Sequence, residues 1–163
     1  SVEVYMGKAE LEPAKLPVKL EGESVINRLV EIGGGAYAIT CVSMGNPHCV
    51  VFCDNLDNLP IEQVGPQFEH ADIFPERVNT EFVQVIDRTT VKMRVWERGS
   101  GETWACGTGA CAAAVAAILC GYCKQDAEVL VKLRGGSMSI RYENGDVIMT
   151  GDAVKVFDGE VEI

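Results

Sequence analysis

Apolar and polar residues alternate along most of this chain, and the alternation stops at two places. Val2, Val4 and Met6 open it as a strand. Further alternating or β-branched runs at about 24–32, 36–44, 48–53, 80–87, 90–97, 127–134, 137–143, 146–151 and 153–158 read as strands as well. Turn signals separate them: a Pro-containing loop from Leu11 to Pro17, Gly33-Gly34-Gly35, Met44-Gly45-Asn46-Pro47, Arg88-Thr89 and Asn144-Gly145. The last is a hairpin signal, because both central residues of a two-residue turn need positive φ.

The two interruptions have helical spacing. Residues 60–71 begin with Pro60 and put Ile61, Val64 and Phe68 on one face, with Gly65-Pro66 as an internal break. From about Gly107 to Cys120 the pattern loses its polar face, since Ala110 to Leu119 are all apolar. A helix apolar all round is buried all round, and small side chains let strands approach it from every side. Gly121 then serves as its C′ residue. The predicted fold is α+β: a mostly antiparallel sheet rolled around a central apolar helix, with a second, shorter helix, in a single domain over residues 1–163.

With 163 residues and 47% hydrophobic content, the chain can bury a core of its own. Its formal charge of -10 would repel a phosphate backbone, which argues against nucleic acid as a partner. No apolar run reaches bilayer length and the first ten residues lack signal-peptide regions, so a cytoplasmic location without a membrane partner is expected. Seven cysteines, an odd number scattered through apolar segments, read as reduced thiols. The chain enters a strand directly from Ser1, as a fragment of a longer protein would.

Chemistry concentrates in Glu97 to Leu119. Cys106 stands between a glycine-rich loop and the first turn of the apolar helix. There the helix dipole and unpaired N–H groups favour a thiolate and a lowered pKa. The amides of Gly107, Thr108 and Gly109 can hold a carboxylate or phosphate nearby. A thiolate beside a held carboxylate is placed to remove a proton from the adjoining carbon. A buried structural cysteine fits the local pattern equally well. Cys120 and Cys123 have CxxC spacing, but the helix C-terminus disfavours a thiolate, and no second ligand pair is spaced for zinc. His48, Asn79, Glu97 and Arg98 occupy strand ends, where sites are commonly built, although a packed histidine, a turn asparagine and a surface ion pair are the plain alternatives.

Three motifs, GNPHCVVF at 45–52, FPERVNTEFV at 74–83 and ERGSGETWACGTGACAAAVA at 97–116, resemble the C-terminal half of the diaminopimelate epimerase family in order and spacing along the whole chain. The resemblance implies interconversion of LL- and meso-diaminopimelate for lysine and cell-wall precursor synthesis, without pyridoxal phosphate or metal. Two cysteines work as thiolate base and thiol acid on opposite faces of the α-carbon. Transferred to this sequence, it makes Cys106 one catalytic cysteine, with Gly107 and Thr108 offering N–H groups to the α-carboxylate. It sets Glu97 near the reacting amino group with His48 as its partner, and gives Asn46, Asn79 and Arg98 the distal end of the substrate, where a guanidinium suits a carboxylate.

One departure limits that transfer. The family's other catalytic cysteine belongs to a GNGxRC-like motif in the first half, and no such motif occurs here. The resemblance therefore implies a C-terminal domain that holds half an active site and is inactive alone. Its partner is an N-terminal domain, to which residues 152–163 would return as a terminal strand. Surface left bare by that domain favours association, so a homodimer is a further expectation. The competing readings are a pyridoxal-independent racemase of another amino acid and a non-catalytic binding module on the same scaffold.

Overall fold

The computed structural model describes residues 1–163. In chain order its elements are β1 (Val2–Lys8), a 3-10 turn (Pro13–Lys15), β2 (Arg28–Ile32), β3 (Gly35–Ser43), β4 (Pro47–Phe52), α1 (Ile61–Glu69), β5 (Asn79–Asp87), β6 (Thr90–Glu97), β7 (Gly101–Thr103), α2 (Gly107–Leu119), β8 (Val129–Leu133), β9 (Gly136–Glu143) and β10 (Asp146–Gly151). The strands form one sheet in the order β1-β10-β9-β8-β6-β5-β4-β3-β2, with β7 paired to β6. Only β4–β5 and β6–β8 pair in parallel. The predicted rolled, mostly antiparallel α+β fold is the observed one.

The roll follows from α2. Residues Ala110 to Ala117 have no exposed surface, and strands from both ends of the sheet order pack against them. Alanine and cysteine side chains keep the helix thin enough for a single sheet to curl around it. The segment after β1 completes the wrap: Ala9 N–H donates to Gly145 O, while Glu10 and Ser43 exchange two backbone hydrogen bonds of 2.9 Å. Helix α2 is followed at C′ by Gly121, whose φ of 78° is the left-handed conformation and whose carbonyl accepts from Arg88 Nη1. Asn144 and Gly145 carry φ of 52° and 85°, as the hairpin signal requires.

A second core lies on the outer face of β3–β5. There Phe68 of α1 stacks edge-on against Phe82 and Tyr37, with Leu16, Val25 and Leu56 closing the layer. The second half of β3, β4 and the first half of β5 are thus buried on both faces, which explains their near-continuous apolar runs. The parallel β4–β5 and antiparallel β5–β6 registers pair His48 with Asn79 and Thr80 with Trp96. The starts of β4 and β5 and the end of β6 therefore meet at one rim of the sheet. The first turn of α2 sits at the same rim, within hydrogen-bonding distance of His48.

Two expectations change. The strand predicted at 24–32 is confined to Arg28–Ile32. The strand predicted at 153–158 does not form within this chain: residues 152–163 are exposed and pair with none of its strands. The reason is topological. Strand β10 already has β1 and β9 on its two edges, so the tail cannot pair with the strand it leaves.

Candidate active site

Cys106 is the N-cap of α2, extended at φ -143° and ψ 108°, with its half-buried Sγ accepting the Gly109 N–H at 3.3 Å. Helix geometry leaves the Gly107 and Thr108 N–H groups without i−4 acceptors, so both are available at the same end. Thr108 Oγ1 lies 3.6 Å from the sulfur. Gly109 is required for a spatial reason, because a Cβ there would come 2.7 Å from Glu81 Oε1 and 3.1 Å from Cys106 Sγ.

Behind the thiol stands a polar cluster inside an otherwise apolar core. His48 is fully buried, in phase with Val50 on the face of β4 turned to α2. Its Nε2 lies 3.0 Å from Asn46 Oδ1 and 3.1 Å from Thr108 Oγ1, and its Nδ1 lies 2.6 Å from Glu81 Oε1. Asn46 Nδ2 donates to Thr108 Oγ1 at 3.3 Å. Asn46, His48, Thr108 and Cys106, chosen as site residues from sequence, thus form one connected network. Glu81 joins it without having been anticipated. A Glu in phase with Val83 and Val85, on a strand facing an all-apolar helix, was the sequence signal for it.

Electrostatics at Cys106 run opposite to the helix-dipole expectation of a lowered pKa. Burial pushes the thiol up to about 11, the Glu81 charge adds to this, hydrogen bonds from Thr108 and Gly109 oppose it, and Glu97 raises it further. Desolvation of a thiolate is the largest cause and, with the acidic side chains of Glu81 and Glu97 nearby, outweighs the dipole. At neutral pH Cys106 is a thiol.

The remaining predicted residues gather along the same rim. Glu97 ends β6, half-exposed, and accepts a hydrogen bond from Thr103 Oγ1 across the short β6–β7 pair. Arg98 is exposed, with Nη1 donating to Glu76 O at 3.0 Å. Asn79 is buried and spends both amide atoms on backbone: Nδ2 donates to Pro47 O, and Oδ1 accepts the Arg98 N–H at 2.8 Å. It ties the loops bearing His48 and Arg98 together. Under the Arg98 loop, buried Glu69 accepts from Arg77 Nη1, Trp96 Nε1 and the Gly99 N–H, each at 3.0 Å. Burial pushes its pKa up, but these three donors together hold it below the usual range.

The other thiols lie apart. Cys120 Sγ meets Thr40 Oγ1 at 3.3 Å, and Cys123 Sγ faces Asp87 O, so the CxxC pair contacts different elements. The largest groove, about 710 Å³, is lined by Lys92, Arg94, Glu102, Lys132 and Arg134 and does not include Cys106. Cys106 is partly buried at the rim.

Comparison with known proteins finds relatives along nearly the whole chain. The family profile described as Diaminopimelate epimerase matches residues 40–156. Diaminopimelate epimerases of Acetivibrio thermocellus and Desulfovibrio desulfuricans are 53% and 51% identical to this chain, over 99% and 98% of it and 58% of each relative. That of Methanococcus maripaludis is 48% identical over 99% of this chain and 58% of its own length. The chain thus spans a little over half the length of these curated relatives. In fold it is similar to a solved structure from Pseudomonas aeruginosa described as a predicted epimerase, with a TM-score of 0.51 at 15% identity, covering 90% of this chain and 53% of that one. With the profile covering most of the chain and relatives near half identity, the chain belongs to the diaminopimelate epimerase family.

Proposed function

We propose that this chain contributes one half of the active site of a cofactor-independent diaminopimelate epimerase, with Cys106 as one of two cysteines that exchange the α-proton. The observation that carries this reading is Cys106 at the N-cap of a buried helix, its sulfur beside the Thr108 hydroxyl and two N–H groups without helical acceptors. A substrate α-carboxylate held by the Gly107 and Thr108 N–H groups sets the α-carbon next to the sulfur. The same N–H groups stabilise the charge that develops as the α-proton leaves, as oxyanion-hole donors do.

Because Cys106 rests as a thiol, its first act is to donate a proton to one face of the α-carbon. A thiolate from a segment outside these 163 residues takes the proton from the other face, and the roles reverse for the opposite direction. His48 and Glu97 order the amino-group side, while Arg98 and Asn46 read the distal end. Asn79 acts through the loops it ties together. The location of Cys106 at the rim, away from the largest groove, supports a site completed by a second segment.

The test is α-proton exchange in deuterated buffer with LL-diaminopimelate. This chain alone is expected to exchange nothing, and an enzyme of the relatives' full length carrying this domain is expected to lose exchange on Cys106→Ala. Turnover by the isolated chain, or full activity of the Ala variant, overturns the reading.

A further inference from the structure

Glu81 is fully buried on the face of β5 turned to α2, and nothing assigned so far uses it. Its Oε1 meets His48 Nδ1 at 2.6 Å, while its Oε2 has no hydrogen-bond partner. On the far side of the ring, Nε2 lies 3.0 Å from Asn46 Oδ1. An amide oxygen only accepts, so that contact needs a hydrogen on Nε2. A second hydrogen must lie between Nδ1 and Oε1, since two lone pairs at 2.6 Å repel. Glu81 and His48 therefore hold two hydrogens between them and together carry no net charge. The orphaned Oε2 says where the shared one belongs. A carboxylate oxygen buried without a donor costs far more than the carbonyl oxygen of a neutral acid.

We propose that Glu81 is a positioning residue: as a neutral carboxylic acid it donates its hydrogen to His48 Nδ1 and so fixes the imidazole as the Nε2–H tautomer. From there each donor finds the next acceptor. Nε2–H donates to Asn46 Oδ1, Asn46 Nδ2 donates to Thr108 Oγ1, and the Thr108 hydroxyl is left to donate toward Cys106 Sγ beside the Gly109 N–H. His48 is then a donor at this rim and not a base. Burial, the strongest influence on Glu81, pushes its pKa up; His48 opposes this and Glu97 adds to it. The ionisable groups facing Glu81 are His48 on β4, Glu97 on β6 and Cys106 at the head of α2, with Cys49 nearby on the opposite face of β4. Once ionised, Glu81 would place a charge that raises the Cys106 pKa.

What His48 and Cys106 do with these protons rests on the epimerase reading, whereas the proton placement rests on the geometry alone. Nitrogen-15 NMR of the histidine rings, recorded on the unliganded 163-residue chain at neutral pH, tests it without turnover. His48 and His70 are the only histidines, and His70→Gln assigns them. The expected spectrum has a hydrogen on His48 Nε2 and none on Nδ1. Glu81→Gln, which keeps an N–H donor of the same shape, is expected to retain that signature, and Glu81→Leu to show a mixture of tautomers, because only Asn46 and Thr108 then hold the ring. A hydrogen on Nδ1 with bare Nε2, or hydrogens on both nitrogens, overturns the proposal. So does an unchanged tautomer in the Leu variant. The spectrum of the unsubstituted chain decides the tautomer even where the Leu variant does not fold.

Discussion

Glu69 lies beneath Gly99, its Oε2 accepting the Gly99 N–H at 3.0 Å, and this bond fastens the loop that carries Arg98 to the end of α1. The same carboxylate also holds Trp96 Nε1 and Arg77 Nη1. Glu69→Ala leaves the indole N–H and the loop N–H without their acceptor, at a cost of about 1–3 kcal/mol. Urea denaturation measures the loss, and a neutral result refutes the assignment. The pH dependence has a definite sign. Its folded pKa is lowered, so its contribution is present above the unfolded value of about 4.3 and is lost as pH falls through the folded one. The gap between the native chain and Glu69→Gln is expected to narrow below pH 4.

Gly65 stands inside α1 because the Trp96 indole lies against it, where a Cβ would overlap the ring. In an exposed helix Gly→Ala gains up to about 1 kcal/mol. Here the overlap dominates, since forcing atoms into a packed contact costs about 1–3 kcal/mol. Gly65→Ala is expected to destabilise the chain in urea, and a stabilised variant would show that the indole moves freely. Displacement of Trp96 from Glu69 is expected to change its fluorescence as well.

What could be read from the sequence was what local pattern dictates. An all-apolar run from Ala110 to Leu119 announces a buried helix, and Asn144-Gly145 announces a hairpin, because each depends only on its own residues. Strand β7 was hidden because Gly101–Thr103 is a strand only by virtue of pairing with the end of β6. The tail reads as a strand because Val154 and Val156 alternate with polar neighbours, yet a strand forms only by pairing, and β10, from which the tail leaves, is already paired on both sides. At the site, Asn46, His48, Cys106 and Thr108 were legible, and their network was not. The thiol's direction of shift was missed for the same reason: the helix dipole is local, whereas burial and the Glu81 carboxylate come from distant strands.

The tail offers a simple test of that topology. Residues 152–163 are all exposed, with Val154, Val156, Phe157, Val161 and Ile163 each more than 80% accessible. Truncation after Gly151 is expected to change stability by no more than about 0.5 kcal/mol. It also removes a run of exposed apolar groups, so light scattering is expected to show less self-association. A large loss of stability would mean that the tail packs somewhere in solution.

Cys106 itself gives the sharpest measurement. With the thiol pushed up to about 11, alkylation by iodoacetamide, followed peptide by peptide, is expected to be slow at pH 7. Only the thiolate reacts, so the rate rises about tenfold per pH unit below the midpoint. Cys111, pushed up to about 12 and buried within α2, is expected to lag behind it. An ionised Glu81 raises the Cys106 pKa, so Glu81→Gln is expected to speed alkylation at any pH where Glu81 carries its charge and to leave the rate unchanged where Glu81 is the neutral acid. Fast labelling of Cys106 near pH 7 in the native chain would mean that the Gly109 and Thr108 hydrogen bonds outweigh burial, and that Cys106 begins its chemistry as the base.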